Sequence, residues 1–544
     1  MDVNVRASEG RRRRPLRLLV GALATLGAVV AVVPSTVSAD AQRPPVVKVD
    51  GGRLSGSVVG DVARFLGVPY AAPPVGDLRW QPPRPPASWS GVRDATSFGA
   101  QCAQASGGSE DCLYLNVYAP AKPHGKVPVM LWIHGGSYVS GTGASYDPTP
   151  IVEGGDVIVV TINYRLGLLG ALATPGLDAE AGDVGSGAYS LLDQQAALRW
   201  VQANIRRFGG DPDAVTIFGE SAGATYTCLQ LVSPSAAGLF SNVISESGCG
   251  LPTTPIEDAR AFGAAVAAQV GCIDAAGGED LACLRLRSPQ EINTAAVVVG
   301  GSASAFQLAS IPAVGGGVLP LSVPDALASG EFNRVPVLLG SNLDEGRLFV
   351  VLRAYGPIPT TPEEHLDMLE QQITATFGVP AELVAAEYPF DPSNPAEALS
   401  AATGDISFSC RTIAMADLAV AHVPVYLYEF SDQRAPNLLP LPFPLGATHG
   451  SELQYLFRQP TTALLDADQR ALSASMIGYW TNFAARGQPS RDRRPEPGIS
   501  PWPSYGTSTA LRNLAPTGAG APPLLGNAAF RDDHHCQFWA DALS

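Results

Sequence analysis

The chain has 544 residues, of which 46% are hydrophobic and 16% are charged. This composition is typical of a folded globular protein and excludes a disordered one. The net charge is −15, and an acidic body argues against nucleic acid or an anionic membrane surface as a partner.

The N-terminal segment has the pattern of an export signal. Four consecutive arginines at residues 11–14 precede an apolar run at residues 18–33, and small residues at 37–39 come just before Asp40. This pattern predicts a signal peptide over residues 1–39. A retained N-terminal anchor is the alternative, and the consecutive arginines leave twin-arginine export open. Lysine occurs only at three positions against many arginines, a bias that favours a bacterial source with a GC-rich genome.

Apolar strands alternate with helical stretches along the rest of the chain. The predicted strands are residues 127–133, 156–162, 215–218, 242–245, 335–339 and 423–428. A helix is predicted at residues 191–208, another begins at residue 222, and the stretches 251–330 and 361–420 are helical without clear strands. Continuous apolar strands of this kind predict a mostly parallel sheet covered on both faces. We therefore predict one α/β domain with large helical insertions over residues 45–540.

A sharp turn is predicted where the third strand meets its helix. The sequence Gly219-Glu220-Ser221-Ala222-Gly223 has the Gly-x-Ser-x-Gly spacing of a nucleophile elbow in the strand–turn–helix context that such an elbow requires. Glycines two before and two after the serine let the turn close, and the turn points the hydroxyl outward. Glu220 has two interpretations, as a group that acts on a nearby histidine or as a simple turn residue.

A serine hydroxyl needs a base, and the base needs an acid to orient it. His449 is the best candidate base among seven histidines, because it follows a strand and comes after Ser221 in the chain. Glu345 and Asp344 both lie just past a strand end and are the candidate acids. The order Ser221, Glu345, His449 is the one expected of α/β-hydrolases. His134 belongs to a glycine turn, and His534 and His535 are interpreted as part of a solvated tail.

Backbone N–H groups that could stabilise an oxyanion come from two places. Ala222 directly follows the serine, and the turn His134-Gly135-Gly136-Ser137 follows another strand. Glycines in that turn allow the backbone to approach a substrate closely.

Together these features resemble a known family. The matching segments are residues 110–117, 132–141, 163–165, 208–212, 342–346, 449–450 and 479–484. They are similar to the type-B carboxylesterases, the cholinesterase-related branch of the α/β-hydrolases, from about Val46 to Trp539. The resemblance implies the α/β-hydrolase fold.

The resemblance also implies a set of site residues. Ser221, Glu345 and His449 would form the catalytic triad, with Glu345 rather than Asp344 as the acid. Oxyanion donors would be the backbone N–H groups of Gly136, Ser137 and Ala222. The implied disulfides are Cys102–Cys112, Cys272–Cys283 and Cys410–Cys536. Cys228 and Cys249 are left unassigned, and Cys228 is interpreted as a buried core thiol.

Two departures from the family pattern bear on specificity. Ser137 replaces the third glycine of the usual turn, which retains the N–H but adds a side chain at the acyl site. The segment between Cys102 and Cys112 lacks the aromatic residue with which cholinesterases bind choline, so choline esters are not the expected substrates.

The sequence thus predicts a secreted or periplasmic serine carboxylesterase that forms an acyl-enzyme and acts on a small-molecule ester. No metal or organic cofactor is implied, and no nucleic-acid or membrane partner is expected after signal cleavage. A lipase or carbamate hydrolase with the same triad is one alternative. A non-catalytic, neuroligin-like adhesion protein is another.

Overall fold

Buried runs of valine, isoleucine and leucine give the chain a large central sheet. The computed structural model describes residues 44–122, 125–352, 358–438, 443–490 and 498–544. The predicted signal peptide lies outside these residues and stays a prediction. Residues from Pro44 to Ser544 group into one compact unit.

In the described part of the chain the strands form one sheet of eleven strands and one of three. The strands are β1 (Val46–Val49), β2 (Gly52–Ser55), β3 (Ser57–Val59), β4 (Val62–Pro69), β5 (Val92–Asp94), β6 (Tyr114–Pro120), β7 (Val127–Ile133), β8 (Ile158–Ile162), β9 (Gly210–Glu220), β10 (Asn242–Glu246), β11 (Val337–Asn342), β12 (Val425–Phe430), β13 (Ala510–Leu514) and β14 (Leu524–Gly526).

Helices surround this sheet and fill the insertions. They are α1 (Thr149–Gly155), α2 (Gly167–Ala171), α3 (Pro175–Ala181), α4 (Tyr189–Asn204), α5 (Ala222–Val232), α6 (Ile256–Gln269), α7 (Leu281–Leu286), α8 (Pro289–Gly300), α9 (Ala303–Ala309), α10 (Val323–Ser329), α11 (Arg347–Val351), α12 (Pro362–Leu369), α13 (Ala375–Phe377), α14 (Ala381–Glu387), α15 (Glu397–Gly404), α16 (Cys410–Ala419), α17 (Leu453–Leu456), α18 (Ala467–Arg486), α19 (Asn527–Asp533) and α20 (Cys536–Ala542).

The eleven-stranded sheet is mostly parallel. Its strand order is β14-β13-β12-β11-β10-β9-β7-β8-β6-β4-β3. The seven strands from β13 to β8 in this order are parallel to one another. Beyond them, β14 pairs antiparallel with β13, and β6, β4 and β3 follow β8 in antiparallel pairs. At the centre, Ile217 of β9 pairs with Leu131 of β7 and with Val243 of β10. β8 and β9 are the two neighbours of β7 and lie on opposite sides of it. Where the strand order reverses in this way, a crevice forms at the carboxyl ends of the strands.

Both faces of the sheet are buried, which explains why its strands have continuous apolar runs. Successive side chains of a strand point to opposite faces. Leu131 and Ile217 therefore contribute to one core, together with residues of α4 and α5. Trp132 and Phe218 contribute to a second core, together with residues of α1 and α18.

The predicted central strands and the two helical insertions are present. Strand β7 has the predicted bounds, and the predicted helix 191–208 is α4 followed by a 3₁₀ turn, Ile205–Phe208. Sequence periodicity missed β4 and β6. In β4, Gly67 has φ of +64°, and the register of the pair shifts between Phe65 and Val68. This irregularity breaks the alternation that marks a strand.

In the described residues no single helix is long and apolar enough to cross a bilayer. By length and composition only α8 and α9 together reach that threshold, and they are bent by 112° relative to one another.

Candidate active site

Ser221 lies on a strained turn between β9 and α5. Its φ is +59° and its ψ is −125°, a conformation rarely adopted by a residue with a side chain. A Cβ on Gly219 would lie 2.6 Å from the carbonyl carbon of Gly223, and one on Gly223 would lie 1.9 Å from the oxygen of Ile133. Only glycine fits at both positions, so the structure forms the sharp elbow that the sequence predicted.

The elbow is tied to the neighbouring strand and opens into a cavity. Ser221 donates its backbone N–H to the carbonyl oxygen of Glu246, at 2.9 Å. Ala222 is the first residue of α5, where backbone N–H groups have no partner within the helix. Ser221 and Ala222 both line a cavity of about 170 Å³, which we call the main cavity.

The turn after β7 lies at the same end of the sheet. Gly136 and Ser137 have φ of +117° and +53°, and Ser137 lines the main cavity. His134 is buried in this turn, and its Nδ1 donates to the oxygen of Gly135 at 2.8 Å. Burial lowers the pKa of His134 to about 4, so this imidazole is neutral and serves the turn rather than a proton transfer.

His449 and Glu345, which are 104 residues apart in the chain, meet beyond the ends of β11 and β12. Nδ1 of His449 lies 2.6 Å from Oε2 of Glu345. A carboxylate only accepts hydrogen bonds, so Nδ1 carries the proton. The backbone N–H of Asn342 donates to the other oxygen, Oε1, at 2.8 Å. The carboxylate is therefore fixed from both sides and leaves Nε2 of the imidazole as the atom that can accept a proton.

Asp344, the other candidate acid, has a different set of contacts. Its carboxylate accepts a hydrogen bond from the backbone N–H of Ala447 at 2.8 Å and pairs with Arg347 at 3.1 Å. Asp344 thereby holds the loop that carries His449. The geometry favours Glu345 as the partner of the imidazole.

Glu220 lies beside the imidazole. Its side chain is buried, and Oε1 is 3.2 Å from Nε2 of His449. Burial alone would lower the pKa of His449, but the charges of Glu220 and Glu345 outweigh it and raise the pKa to about 9. Burial also raises the pKa of Glu220, to about 7. Of the two interpretations of Glu220, the structure favours the group that acts on histidine.

Two further buried glutamates complete a cluster that the sequence analysis missed. Glu452 accepts a hydrogen bond from Nδ2 of Asn342, and Glu246 accepts one from Nε1 of Trp480 at 2.8 Å. Burial raises the pKa of Glu452 to about 8 and that of Glu246 well above its usual value. Glu452 follows His449 by three residues, a spacing that could have drawn attention to it.

Two aromatic rings pack on the imidazole of His449. The rings of Phe349 and Phe408 lie 5.0 and 4.6 Å from that of His449, measured between centroids, and both side chains line the main cavity. The other described residues that line this cavity are apolar or carry hydroxyl or amide groups, and none is charged. Two π-helical segments, Glu370–Thr374 and Asp405–Ser409, contribute to the lining, as is frequent for π-turns at functional sites.

The cysteines form four disulfides in the described residues. Three are the pairs implied by the resemblance, Cys102–Cys112, Cys272–Cys283 and Cys410–Cys536. The fourth, Cys228–Cys249, corrects the interpretation of Cys228 as a buried thiol. It joins α5 to the turn after β10, and the sequence could not reveal it because the pairing depends on how the helix packs against that turn.

The prediction of a solvated histidine tail was also wrong. His534 is buried between two carboxylates, with Nδ1 2.5 Å from Asp405 and Nε2 2.9 Å from Glu429. Only His535 is partly exposed, and it pairs with Glu387. The C-terminal helices pack against the body of the protein, which sequence periodicity over so short a stretch did not indicate.

In the described part of the chain no cluster of three or more histidine, cysteine, aspartate or glutamate side chains is arranged to hold a metal ion.

Known proteins are similar to this chain over most of its length. The sequence profile described as the carboxylesterase family matches residues 43–539. The chain is 36% identical to fumonisin B1 esterase from Sphingopyxis macrogoltabida, with 86% of each chain covered. It is 35% identical to human cocaine esterase, with 92% of this chain and 91% of the relative covered.

Solved structures of esterases are similar to the fold of this chain. A PNB esterase superposes with a TM-score of 0.75 at 34% identity, covering 90% of this chain and 99% of that one. A thermophilic PNB esterase is also similar, at 32% identity and the same TM-score of 0.75. The predicted α/β-hydrolase fold is thus confirmed, and the chain belongs to the carboxylesterase family as a carboxylic ester hydrolase.

Proposed function

We propose that the protein hydrolyses neutral esters through an acyl-enzyme on Ser221. Ser221 attacks the ester carbonyl while Nε2 of His449 takes its proton. The same nitrogen then gives the proton to the departing alcohol oxygen. Water, deprotonated by His449, releases the acid from the serine.

The observation that carries this proposal is the pair of short contacts around Glu345. His449 donates from Nδ1 to this carboxylate at 2.6 Å, and Asn342 donates to its second oxygen at 2.8 Å. Glu345 therefore holds the imidazole in the tautomer with a free Nε2 and stabilises the cation that forms when Nε2 is protonated. In the described residues Nε2 makes no hydrogen bond, although the carboxylate of Glu220 lies 3.2 Å away, so in the neutral ring Nε2 can accept the proton of a serine hydroxyl.

The oxyanion is assigned to the backbone N–H groups of Gly136, Ser137 and Ala222. The left-handed backbone of Gly136 and Ser137 supports the assignment, because it turns successive N–H groups toward one point. Ala222 adds the N–H at the start of α5. Loss of one such donor typically raises a barrier by about 3 kcal/mol.

The lining of the main cavity supports a neutral substrate. An ammonium or carboxylate on the substrate would lose its hydration there without gaining a charged partner among the described lining residues. The absence of an aromatic residue between Cys102 and Cys112 also argues against choline esters as substrates.

The protein is proposed to work outside the cytoplasm of a bacterium, in the periplasm or as a secreted enzyme. Four disulfides in the described residues support an oxidising compartment, and the predicted signal peptide over residues 1–39 gives the route.

Turnover of p-nitrophenyl acetate and butyrate tests the mechanism. The Ser221→Ala variant is expected to lose at least about a thousandfold in kcat, since it removes the nucleophile. Ser329→Ala, at an exposed position on α10, is the matched control and is expected to keep wild-type activity. Mass spectrometry of quenched wild-type enzyme should find the acyl group on the peptide with Ser221. Wild-type rates in Ser221→Ala, or an acyl group on another residue, would refute the proposal.

A further inference from the structure

A second cavity lies next to the main cavity, with one helix between them. This side cavity has a volume of about 320 Å³, against about 170 Å³ for the main cavity. Ser304 and Gln307 of α9 line the main cavity, Ala305 and Ala309 line the side cavity, and Leu308 lines both. With 3.6 residues per turn, Leu308 falls between the two faces of the helix. Its side chain therefore lies at the boundary between the two cavities.

The side cavity is suited to hydrocarbon. Leu168, Leu172, Phe262 and Val299 line it, and transfer of alkyl groups from water to such surfaces is favourable. Its one charged lining residue among those described, Asp258, is solvent-exposed. A free acid or a cation would find no buried partner there, whereas an alkyl chain would contact apolar side chains.

The position of α9 indicates which half of an ester would point toward it. Phe306 of α9 packs against Gly167, and Gly167 donates its backbone N–H to the oxygen of Tyr138, at 2.9 Å, in the turn after β7. Helix α9 thus lies on the side of the oxyanion turn. Phe349 and Phe408 mark the other side, because their rings pack on His449. His449 must protonate the leaving alcohol, so the alcohol half lies toward those rings and the acyl half toward α9.

We propose that the side cavity is a compartment for the distal part of a long acyl chain, and that Leu308 determines how much chain enters it. The inference rests on the proposed acyl-enzyme mechanism for the orientation of the ester. Acyl groups short enough for the main cavity do not extend past Leu308. Longer saturated chains contact the Leu308 side chain and enter the side cavity when that side chain moves aside.

The test compares p-nitrophenyl esters from acetate to dodecanoate. For each variant, kcat/KM of every ester is divided by that of acetate, so that changes in the chemical step cancel. Leu308→Ala is expected to raise the dodecanoate-to-acetate ratio at least tenfold. Ala259→Phe, which fills the side cavity from α6, is expected to reverse that gain in the Leu308→Ala/Ala259→Phe double variant.

Two controls make the outcome specific. Ala261→Phe places the same ring on an exposed position of α6 and should not reverse the gain. Leu251→Ala enlarges the main cavity alone, and Ala259→Phe should leave its ratio unchanged. Acetates of longer alcohols form a second series, in which the Leu308→Ala gain should be absent.

An unchanged ratio in Leu308→Ala, a gain that Ala259→Phe does not reverse, or a gain confined to the alcohol series would overturn the inference. Failure of the underlying mechanism would look different, since acetate hydrolysis would then survive Ser221→Ala whatever the chain-length ratios are.

Discussion

The imidazole of His449 has a carboxylate at each nitrogen. Nδ1 is 2.6 Å from Glu345, and Nε2 is 3.2 Å from Glu220. With an unperturbed pKa of about 6.5, a free histidine would lose its proton just below neutrality. Here the two negative charges favour the protonated ring and raise the pKa to about 9, although burial acts in the opposite direction.

Activity is therefore expected to require an alkaline pH. In the proposed mechanism the neutral imidazole is the base, so kcat/KM should fall as the pH drops through the raised pKa, and the loss should already be under way above pH 7. The measurement is kcat/KM for a neutral ester between about pH 5 and pH 10. A midpoint at or below about 6.5, or a flat profile into the acid range, would contradict this expectation.

Glu220→Gln is the informative variant for the same profile. It removes the charge closest to Nε2 while keeping the size of the side chain, so the midpoint should move about one unit or more toward acid pH. Glu331→Gln, at an exposed position, is the control and should leave the midpoint in place.

At the scale of secondary structure, the C-terminal helices are linked to the site. His534, between α19 and α20, contacts Asp405 and Glu429, and Cys536 is bonded to Cys410. Asp405 begins the π-helical segment that carries Phe408, whose ring packs on His449. The buried histidine thus supports a wall of the main cavity.

Loss of this contact is expected to be costly. His534→Gln would leave two buried carboxyl groups without a cation, and loss of one partner of a buried pair typically costs about 3–5 kcal/mol of unfolding free energy. Urea unfolding measures it, and His535→Gln is the matched control, because His535 is partly exposed and such pairs contribute about 0–1 kcal/mol. Equal effects of the two substitutions would refute the assignment.

The same contact has a defined pH dependence. Burial would lower the pKa of His534, but its two carboxylates raise it to about 10. A raised pKa stabilises the folded state below the unfolded value, about 6.5, and this contribution is lost as the pH rises toward 10. The difference in stability between wild type and His534→Gln should therefore be largest near and just below neutral pH and shrink as the pH rises toward 10.

For the whole molecule, the disulfides differ in the length of chain that they close. Cys410–Cys536 spans 126 residues, and Cys272–Cys283 spans 11. A disulfide stabilises the folded state by restricting the unfolded chain, and this stabilisation grows with loop length, from about 3 kcal/mol for the short loop to about 5 kcal/mol for the long one.

Paired alanine variants test this order. Cys410→Ala/Cys536→Ala is expected to lower the unfolding free energy more than Cys272→Ala/Cys283→Ala, by about 2 kcal/mol. Urea unfolding under oxidising conditions is the measurement, and wild type treated with reductant should be less stable than either variant. The reverse order would show that the long disulfide is not a main constraint on the unfolded chain.

The features of this protein that the sequence alone determined are local ones. The apolar runs of β7 to β12 follow from burial on both faces, and the elbow at Ser221 follows from the spacing of Gly219 and Gly223, because a Cβ at either position would collide with backbone. Motifs of this kind also predicted that Glu345 and His449 lie close together, since each follows a strand whose carboxyl end lies at one edge of the sheet, and the two side chains are in contact.

Only the tertiary structure decided the contacts between distant segments. The position of Glu220 against Nε2, the burial of His534, the pairing of Cys228 with Cys249 and the side cavity behind Leu308 all depend on packing of elements far apart in the chain. No local pattern encodes such distances, because hydrophobic periodicity states which face of an element is buried and not which element covers it.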